Sequence, residues 1–406
     1  MKERAHLVAE LRAREAIRTR AVAAAFAEVP REVFIPRVLA EQGILGVYRD
    51  EAFVTKRHPN GIPVSSSSQP GLMATMLELL ELRPGQRVLE VGAGTGYNAA
   101  LIRHLVGASG RVTTIDIDGE LARTARSALR RAGYRASVVV GDGRRGWPDG
   151  APYDRIIVTA CADHAPRAWL DQLSEGGRIV FPLRLDPDGT AIQLIPVFER
   201  RDGRLRSAGM TWGGFMALHG GDGGWRAPRA QVSATRSTGG DPVSLGHVAG
   251  AGLAGISEQV ARSLLARVIS GAGELRARGA TPMGSGRTPL LLVHLLLGIP
   301  DRRRVSVHTD RRIGIGAVDR RTGSLAVFSV PSPWSRRSGS DPSLVRWRLE
   351  SFAGNGAGSD GAVAELERLL EQWNELRRAG RRRLHLTAHA RGGAEALVVR
   401  FGWERD

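Results

Sequence analysis

The chain has 406 residues, of which 42% are hydrophobic, enough to bury a large core, and its length suggests two or three domains, of which we expect two. Its formal net charge of +17 admits nucleic acid, an anionic membrane surface or an acidic peptide as partner, although lysine occurs only at Lys2 and Lys56, so an arginine-rich coding bias explains the charge equally well. The longest apolar run, Leu290 to Pro300, is interrupted by His294 and falls short of the ~20 residues of a membrane span; a lone cysteine, Cys161, excludes an intramolecular disulfide and a multi-Cys metal site, so no metal is expected.

Along the chain, the charged N-terminus leads into an amphipathic helix over Leu7–Ala27 without the apolar core of a secretory signal, which predicts a cytoplasmic protein. Val29 to Ser68 is rich in turn residues and is expected to wrap one edge of the fold as a lid, followed by a helix over Pro70–Leu80. From Val88 to Phe198 short apolar runs alternate with helical stretches in the manner of βαβ units and a mainly parallel sheet. Strands are predicted at Arg87–Val91, Arg111–Asp116, Ser137–Val140, Asp154–Thr159, Arg178–Pro182 and Ala191–Glu199, with helices such as Gly119–Ala132 and Ala165–Leu173 between them. The turn at Arg200–Gly203 should pair the last strand with Leu205–Met210 as a hairpin. After Phe215 the texture changes to a glycine cluster and then the polar stretch Ser233–Pro242. We therefore expect an α/β domain over 1–220, with an N-terminal segment over 1–80, a linker over 221–244 and a smaller α+β domain over 245–406. The latter should hold helices near Ser257–Ile269, Pro289–Leu297 and Gly361–Ala379, and strands near Ile313–Val318, Ser324–Val330, Arg383–His389 and Ala396–Trp403.

The chemistry concentrates at strand ends. Residues 88–100 carry an apolar strand into glycines at Gly92, Gly94 and Gly96 and then into a helix, a turn whose backbone N–H groups can approach a nucleotide. The spacing is G-x-G-x-G rather than the dinucleotide-binding G-x-G-x-x-G. Glu90 precedes the first glycine by two, Asp116 ends the next strand where an acceptor suits a ribose diol, and Gly141-Asp142-Gly143 ends the third, where Asp142 suits an adenine amino group. Ala93, Thr95, Asn98, Ile117 and Thr159 complete the expected cofactor contacts. The alternative is structural: the glycines form a plain turn, and Asp116 or Asp142 caps the following helix.

Together these residues resemble the class I, Rossmann-like fold of S-adenosylmethionine-dependent methyltransferases. A narrower resemblance rests on Val64-Ser65-Ser66-Ser67-Ser68-Gln69-Pro70 with Met73–Leu77, Leu89–Ala100, Val139–Gly143, Ala151–Asp154 and Asp171–Arg178, whose order and spacing are similar to protein-L-isoaspartate O-methyltransferases over Leu7 to Glu199. The resemblance implies S-adenosyl-L-methionine as cofactor, Ser68 at the site of methyl transfer, Ser67 and Gln69 beside it, and Ala160 lining the same cleft. His58, in Lys56-Arg57-His58-Pro59, is a loop residue able to meet an acidic peptide. For Ser65–Ser68 the structural reading is a helix cap ahead of Pro70. Phe181-Pro182-Leu183 in place of the usual Pro-Val-Gly, Ser67 at a position usually aliphatic, and nearly two hundred further residues depart from the pattern. The long, serine-rich form resembles actinobacterial methyltransferases associated with ribosomally synthesised modified peptides such as lanthipeptides, graspetides and lasso peptides. That implies methylation of an aspartate in a cyclised precursor peptide, with closure to aspartimide and hydrolysis to isoaspartate, rather than general repair of isoaspartyl residues. An aspartate carboxyl, with an ordinary pKa near ~3.9, is already ionised at neutral pH, which explains a site without a His/Asp pair. A nucleic-acid methyltransferase would need Asn-Pro-Pro-Tyr or cysteine motifs that the chain lacks; a binding protein that kept the fold and lost transfer is the non-enzymatic alternative.

Overall fold

The N-terminal stretch expected as one helix is two, α1 (Lys2–Ala13) and α2 (Arg20–Glu28). Glu15 turns into the left-handed region at φ 58°, and the second helix restarts at Thr19, whose hydroxyl accepts from Val22 N. Glu78, from a later helix, accepts the Arg18 and Thr19 N–H groups at 2.9 and 2.8 Å, so a distant carboxylate fixes the break. In this computed structural model the described residues are 2–59, 61, 63–185, 193–220, 231–236, 243–249, 253–254, 256–282, 294–295, 299, 303–309, 312–319, 322, 324–331, 344–352, 360–378, 382–390 and 395–405. Two compact units divide them: Met1–Leu183 with Ile195–Trp225 and His385–Phe401, and Arg184–Leu194 with Arg226–Leu384 and Gly402–Asp406.

In the first unit α3 (Pro36–Val47) leads to a hairpin of β1 (Phe53–Arg57) and β2 (Pro63–Ser67), then α4 (Pro70–Leu80). The nucleotide-binding region follows as β3 (Arg87–Val91), α5 (Tyr97–Val106), β4 (Arg111–Asp116), α6 (Gly119–Arg131), β5 (Ser137–Val140) and β6 (Tyr153–Val158). Next come β7 (Ala165–Pro166), α7 (Arg167–Gln172), β8 (Leu173–Val180), β9 (Leu183–Arg184), β10 (Gln193–Arg201) and β11 (Arg204–Trp212). The main sheet runs β5-β4-β3-β6-β8-β10-β11, parallel from β5 to β8, with β10 antiparallel to β8. Val88 to Val91 are all buried rather than alternating, as expected of a parallel strand covered on both faces. Leu7, Leu11, Phe26, Met76, Tyr97 and Leu101 fill one core over the sheet.

The second unit contains β12 (Gln231–Arg236), β13 (Val243–Ala249), α8 (Glu258–Ser270), β14 (Glu274–Pro282), β15 (Arg304–Thr309), β16 (Arg312–Asp319), β17 (Ser324–Pro331), β18 (Leu344–Phe352) and α9 (Asp360–Arg378). Its seven strands form an antiparallel sheet, β12-β13-β15-β16-β17-β18-β14, with Val248, Leu264, Leu265, Val305 and Phe352 in its core. Part of the expected linker is therefore a strand: Gln231–Arg236 pairs with Val243–Ala249. The helix expected at Pro289–Leu297 lies outside the described residues except for His294 and Leu295, which are helical.

The expected boundary at 245–406 also differs at its far end. Most of the last strands, β19 (Arg382–Ala390) and β20 (Ala396–Arg405), belongs to the first unit through His385–Phe401; they extend its sheet beyond β11 and end on β7. Leu205 pairs with Ala388 and Arg206 with Thr387. The physical reason is the open edge that β11 otherwise presents, which these strands cover.

Candidate active site

The glycine turn is pinned to the neighbouring strand by Gly92 N and Ala93 N, which donate to Ile115 O at 2.8 and 3.2 Å. Gly92 and Gly96 sit at φ 100° and 88°, where a side chain is strained. A Cβ on Gly92 would lie 2.5 Å from Thr159 Oγ1, and one on Gly96 3.2 Å from Ala125 of α6, so these glycines let strand β6 and a helix close on the turn. Thr159 Oγ1 in turn donates to Gly92 O at 2.9 Å. At Gly94 a Cβ would meet Ser66 O at 3.6 Å and Ser65 Oγ at 3.8 Å. The serine-rich strand and the glycine turn are thus neighbours.

The two strand-end aspartates differ. Asp118 caps α6 by accepting from Glu120 N and Leu121 N, which leaves Asp116 to the turn: its Oδ2 accepts from Gly94 N at 2.9 Å. Burial pushes the Asp116 carboxyl up, against the N–H groups of Asp118, Gly94 and Ala93 that favour its charge. Asp142 does cap, accepting from Arg144 N, and it pairs with the Arg144 guanidinium at 2.6 Å. Its loop is held from behind by Trp169 Nε1 on Gly143 O and by Gln172, which bonds Trp147 N and Arg145 O. Ile117 and Val140, 40% and 52% exposed, leave apolar side chains open beside these two carboxylates. Val140 was not anticipated, although its place just before Gly141-Asp142 was a usable signal.

Glu90 and Asn98 are corrections to the expected contacts. Glu90 is fully buried, with Asn98 Nδ2 donating to Oε1 at 2.8 Å and Thr114 Oγ1 to Oε2 at 2.6 Å. The pair braces β3, β4 and α5 beneath the turn, and desolvation lifts the Glu90 carboxyl to about 7.

On the acceptor side, Ser65 and Ser67 point inward along β2 and are buried, whereas Ser68 is half-buried. Ser67 Oγ is buried and has no partner among the described residues. The cap of α4 comes from elsewhere: Asp50 Oδ1 accepts from Gly71 N at 2.7 Å, and its Oδ2 accepts from Gln69 Nε2 at 3.0 Å. Gln69 is therefore engaged with Asp50, and the Ser68 hydroxyl takes no part in the cap. Beneath it lies Arg31, fully buried, whose guanidinium donates to the carbonyls of Val47, Arg49, Glu51 and Ser68 at 2.9 to 3.2 Å. Its guanidinium carbon lies 5.3 and 5.8 Å from the ring centres of Phe53 and Tyr97. Neither Asp50 nor Arg31 was anticipated. His58 follows β1 at the tip of the hairpin, while Ser68 follows Ser67, the partner of Phe53. Five residues of strand, roughly 16 Å, separate the two.

A second segment borders the cleft. Cys161, buried at 1%, donates through its backbone N–H to Met216 O, and Leu218 N returns a bond to Cys161 O, both at 2.7 Å. A Cβ on Gly220 would collide with the Arg144 guanidinium. Residues 216–220 thus run from Cys161, near the end of β6 beside Ala160, to the Asp142 loop.

Residues 2–220 match the family profile described as Protein-L-isoaspartate(D-aspartate) O-methyltransferase (PCMT), over half of the chain. The chain belongs to this family. Among similar proteins, the Protein-L-isoaspartate O-methyltransferase of Methanopyrus kandleri is 42% identical over 205 residues, covering 50% of this chain and 85% of that protein. That of Hyperthermus butylicus is 41% identical over 226 residues, covering 53% and 88%. A solved structure titled protein-L-isoaspartate O-methyltransferase aligns at a TM-score of 0.50 and 23% identity over 97% of this chain and 99% of its own, so the shared fold extends through the added C-terminal part. The isoaspartate O-methyltransferase of this chain is an S-adenosylmethionine-dependent enzyme on a class I methyltransferase fold, as expected. Among the described residues no helix is long and apolar enough to cross a membrane.

Proposed function

We propose that the acceptor carboxylate seats on the Ser68 hydroxyl and that it belongs to an aspartate side chain of a ribosomally made, modified peptide, methylated in the cytoplasm. The observation that carries the acceptor site is the cap of α4: Asp50 supplies it, so Ser68 Oγ is left available just past β2, whose Ser65 and Ser66 meet Gly94. The cradle fits the cofactor. Gly92, Gly94 and Gly96 let Thr159, the serine-rich segment and α6 close on the turn, with Ala93 and Thr95 between them; Asp116 offers a half-buried carboxylate to a diol, and Ile117, Val140 and Gly141–Gly143 flank a planar group, with Thr159 at the rim. S-adenosylmethionine, when bound there, supplies an electrophilic methyl group on a sulfonium.

The residues of the chain then have a limited task. Ser68 Oγ donates to one oxygen of the substrate carboxylate, leaving the other, ionised at neutral pH, to form the new bond to carbon. Arg31 fixes the Ser68 carbonyl, and so the hydroxyl's position, without placing a cation on the reacting oxygen, which would oppose its attack. Orientation of this kind is worth up to ~7–11 kcal/mol. The ester product closes to aspartimide when the following backbone nitrogen displaces methanol, and water opens it to isoaspartate.

A second reading, repair of isoaspartyl residues in damaged proteins, is favoured by the solved relative of equal length, because that shows the long form in a protein bearing the repair family's name. Incubation with the cofactor and either a cyclised aspartyl peptide or a linear isoaspartyl peptide separates the two by mass spectrometry. Gain of one methyl followed by loss of methanol on the cyclised peptide supports the tailoring reading. Turnover of the isoaspartyl peptide alone replaces it with repair.

A further inference from the structure

A groove of about 320 Å³ opens on the added strands of the first unit, lined by Arg204, Arg206, Thr387, His389 and Arg400. The register explains their convergence. Leu205 pairs with Ala388 and Arg206 with Thr387, so the buried Leu205, Leu386 and Ala388 share one face while Arg204, Arg206, Thr387 and His389 share the other. Arg400 comes from β20, the neighbour of β19. Arginines on the adjoining strands are neutralised: Arg178 by Glu81 and Glu199, Arg200 by Glu175 and Arg201 by Glu199. Arg204, Arg206 and Arg400 have no carboxylate partner among the described residues. Like charges gathered across a sheet face cost stability, so fold maintenance alone does not account for the cluster.

We propose that this groove docks an acidic segment of the polypeptide substrate, away from the residue being methylated. Guanidinium forks match carboxylates in bidentate geometry, and no Phe, Tyr or Trp lines the groove to stack a nucleobase. Strand register sets its distance from the chemistry. Val91 pairs with Val158, Ile157 with Val180, and Val180 with Val197, so the groove, past the turn at Asp202-Gly203, lies toward the sheet edge remote from the glycine turn. Four strand spacings and about five residues of rise give roughly 25 Å. At least ~7 extended residues are needed to bridge it. Short substrates cannot reach the groove, and longer ones gain from a second attachment. The inference rests on the family's polypeptide substrate and not on the cyclised-peptide reading.

The test compares two peptides with the same acceptor sequence, one extended by about ten neutral residues and a hexaglutamate tail, on the parent and on R204A/R206A/R400A. In the parent the tail lowers KM about tenfold, an advantage that shrinks with added NaCl. In the variant the advantage disappears, while kcat and the KM of the untailed peptide stay at parental values. A tail without effect in the parent, or an effect that survives in the variant, overturns the proposal. Fluorescence anisotropy of labelled hexaglutamate reads the same groove even if neither acceptor is methylated, which separates its failure from that of the acceptor assignment. Tighter binding of a single-stranded oligonucleotide than of hexaglutamate, lost in the variant, makes the groove a nucleic-acid site and also overturns the proposal.

Discussion

Ser68 and Glu90 are polar groups placed within a few residues of the same cleft, yet one is available and the other is locked. Replacing Ser68 with Ala removes a hydrogen bond to a charged acceptor, so methyl transfer should fall about 10- to 100-fold, while S-adenosylhomocysteine affinity by calorimetry stays unchanged. Loss of cofactor affinity in step with activity would instead give Ser68 a structural role. Glu90 should show itself in stability. Its carboxyl stands at about 7 in the fold against an ordinary 4.5, raised by burial and only partly offset by Thr114 and Asn98. Because the folded value is the higher one, its favourable contribution is complete below about pH 4.5 and is lost as pH rises through about 7. Relative to the neutral isostere Glu90→Gln, the parent should lose up to ~3 kcal/mol between pH 4.5 and pH 8 in urea unfolding. A gap independent of pH would show that Glu90 does not titrate in this range. The positions of Glu90, Asp116 and Asp142 at strand ends were legible in the sequence. Which of them faces the cleft was not, because that depends on donors from β4 and α5 and on Asp118 taking the cap.

The element that carries the acceptor residue is held by partners far away in sequence. Asp50 reaches Gln69 across 19 positions and Arg31 reaches Ser68 across 37, and no local pattern announces either. The Ser-Gln-Pro start of α4 was therefore readable, while the groups that free the serine were not. Replacing Asp50 with Ala leaves Gly71 N–H without its cap and should cost about 1–2 kcal/mol, read as a lower urea midpoint. Activity should fall further than stability does, since Gln69 is released too. Arg31→Lys is the sharper test of the clamp. One ammonium cannot reach the four carbonyls that the guanidinium spans, so the variant should lose several kcal/mol. Its kcat should fall at temperatures where circular dichroism still reports the fold. Parental kcat in a folded R31K would remove Arg31 from the positioning of Ser68. The N-terminal helices make the same point: periodicity gave their apolar face but not the break, which Glu78 fixes from α4.

At the scale of the whole molecule, chain order and spatial order part company at the C-terminus. The strands themselves were legible near Arg383–His389 and Ala396–Trp403, but their partner was not, since alternation specifies a face and says nothing of which edge it joins. Leu386 N–H donates to Ser207 Oγ at 2.9 Å across 179 positions, so the first unit is completed only by residues that follow the second. This makes two shortened chains behave oppositely. Ending the chain after Trp225 strips β19 and β20 from β11 and leaves an unpaired strand edge carrying Leu205, which is buried in the full chain. Such a chain should associate on size exclusion and melt below the parent. Removing 226–381 and joining Trp225 to Arg382 through a long Gly-Ser linker keeps both strands, and should give a monomer that binds S-adenosylhomocysteine with parental affinity. If the chain ending at Trp225 is instead monomeric with the parental melting midpoint, the returning strands are an accessory to the first unit rather than part of its fold.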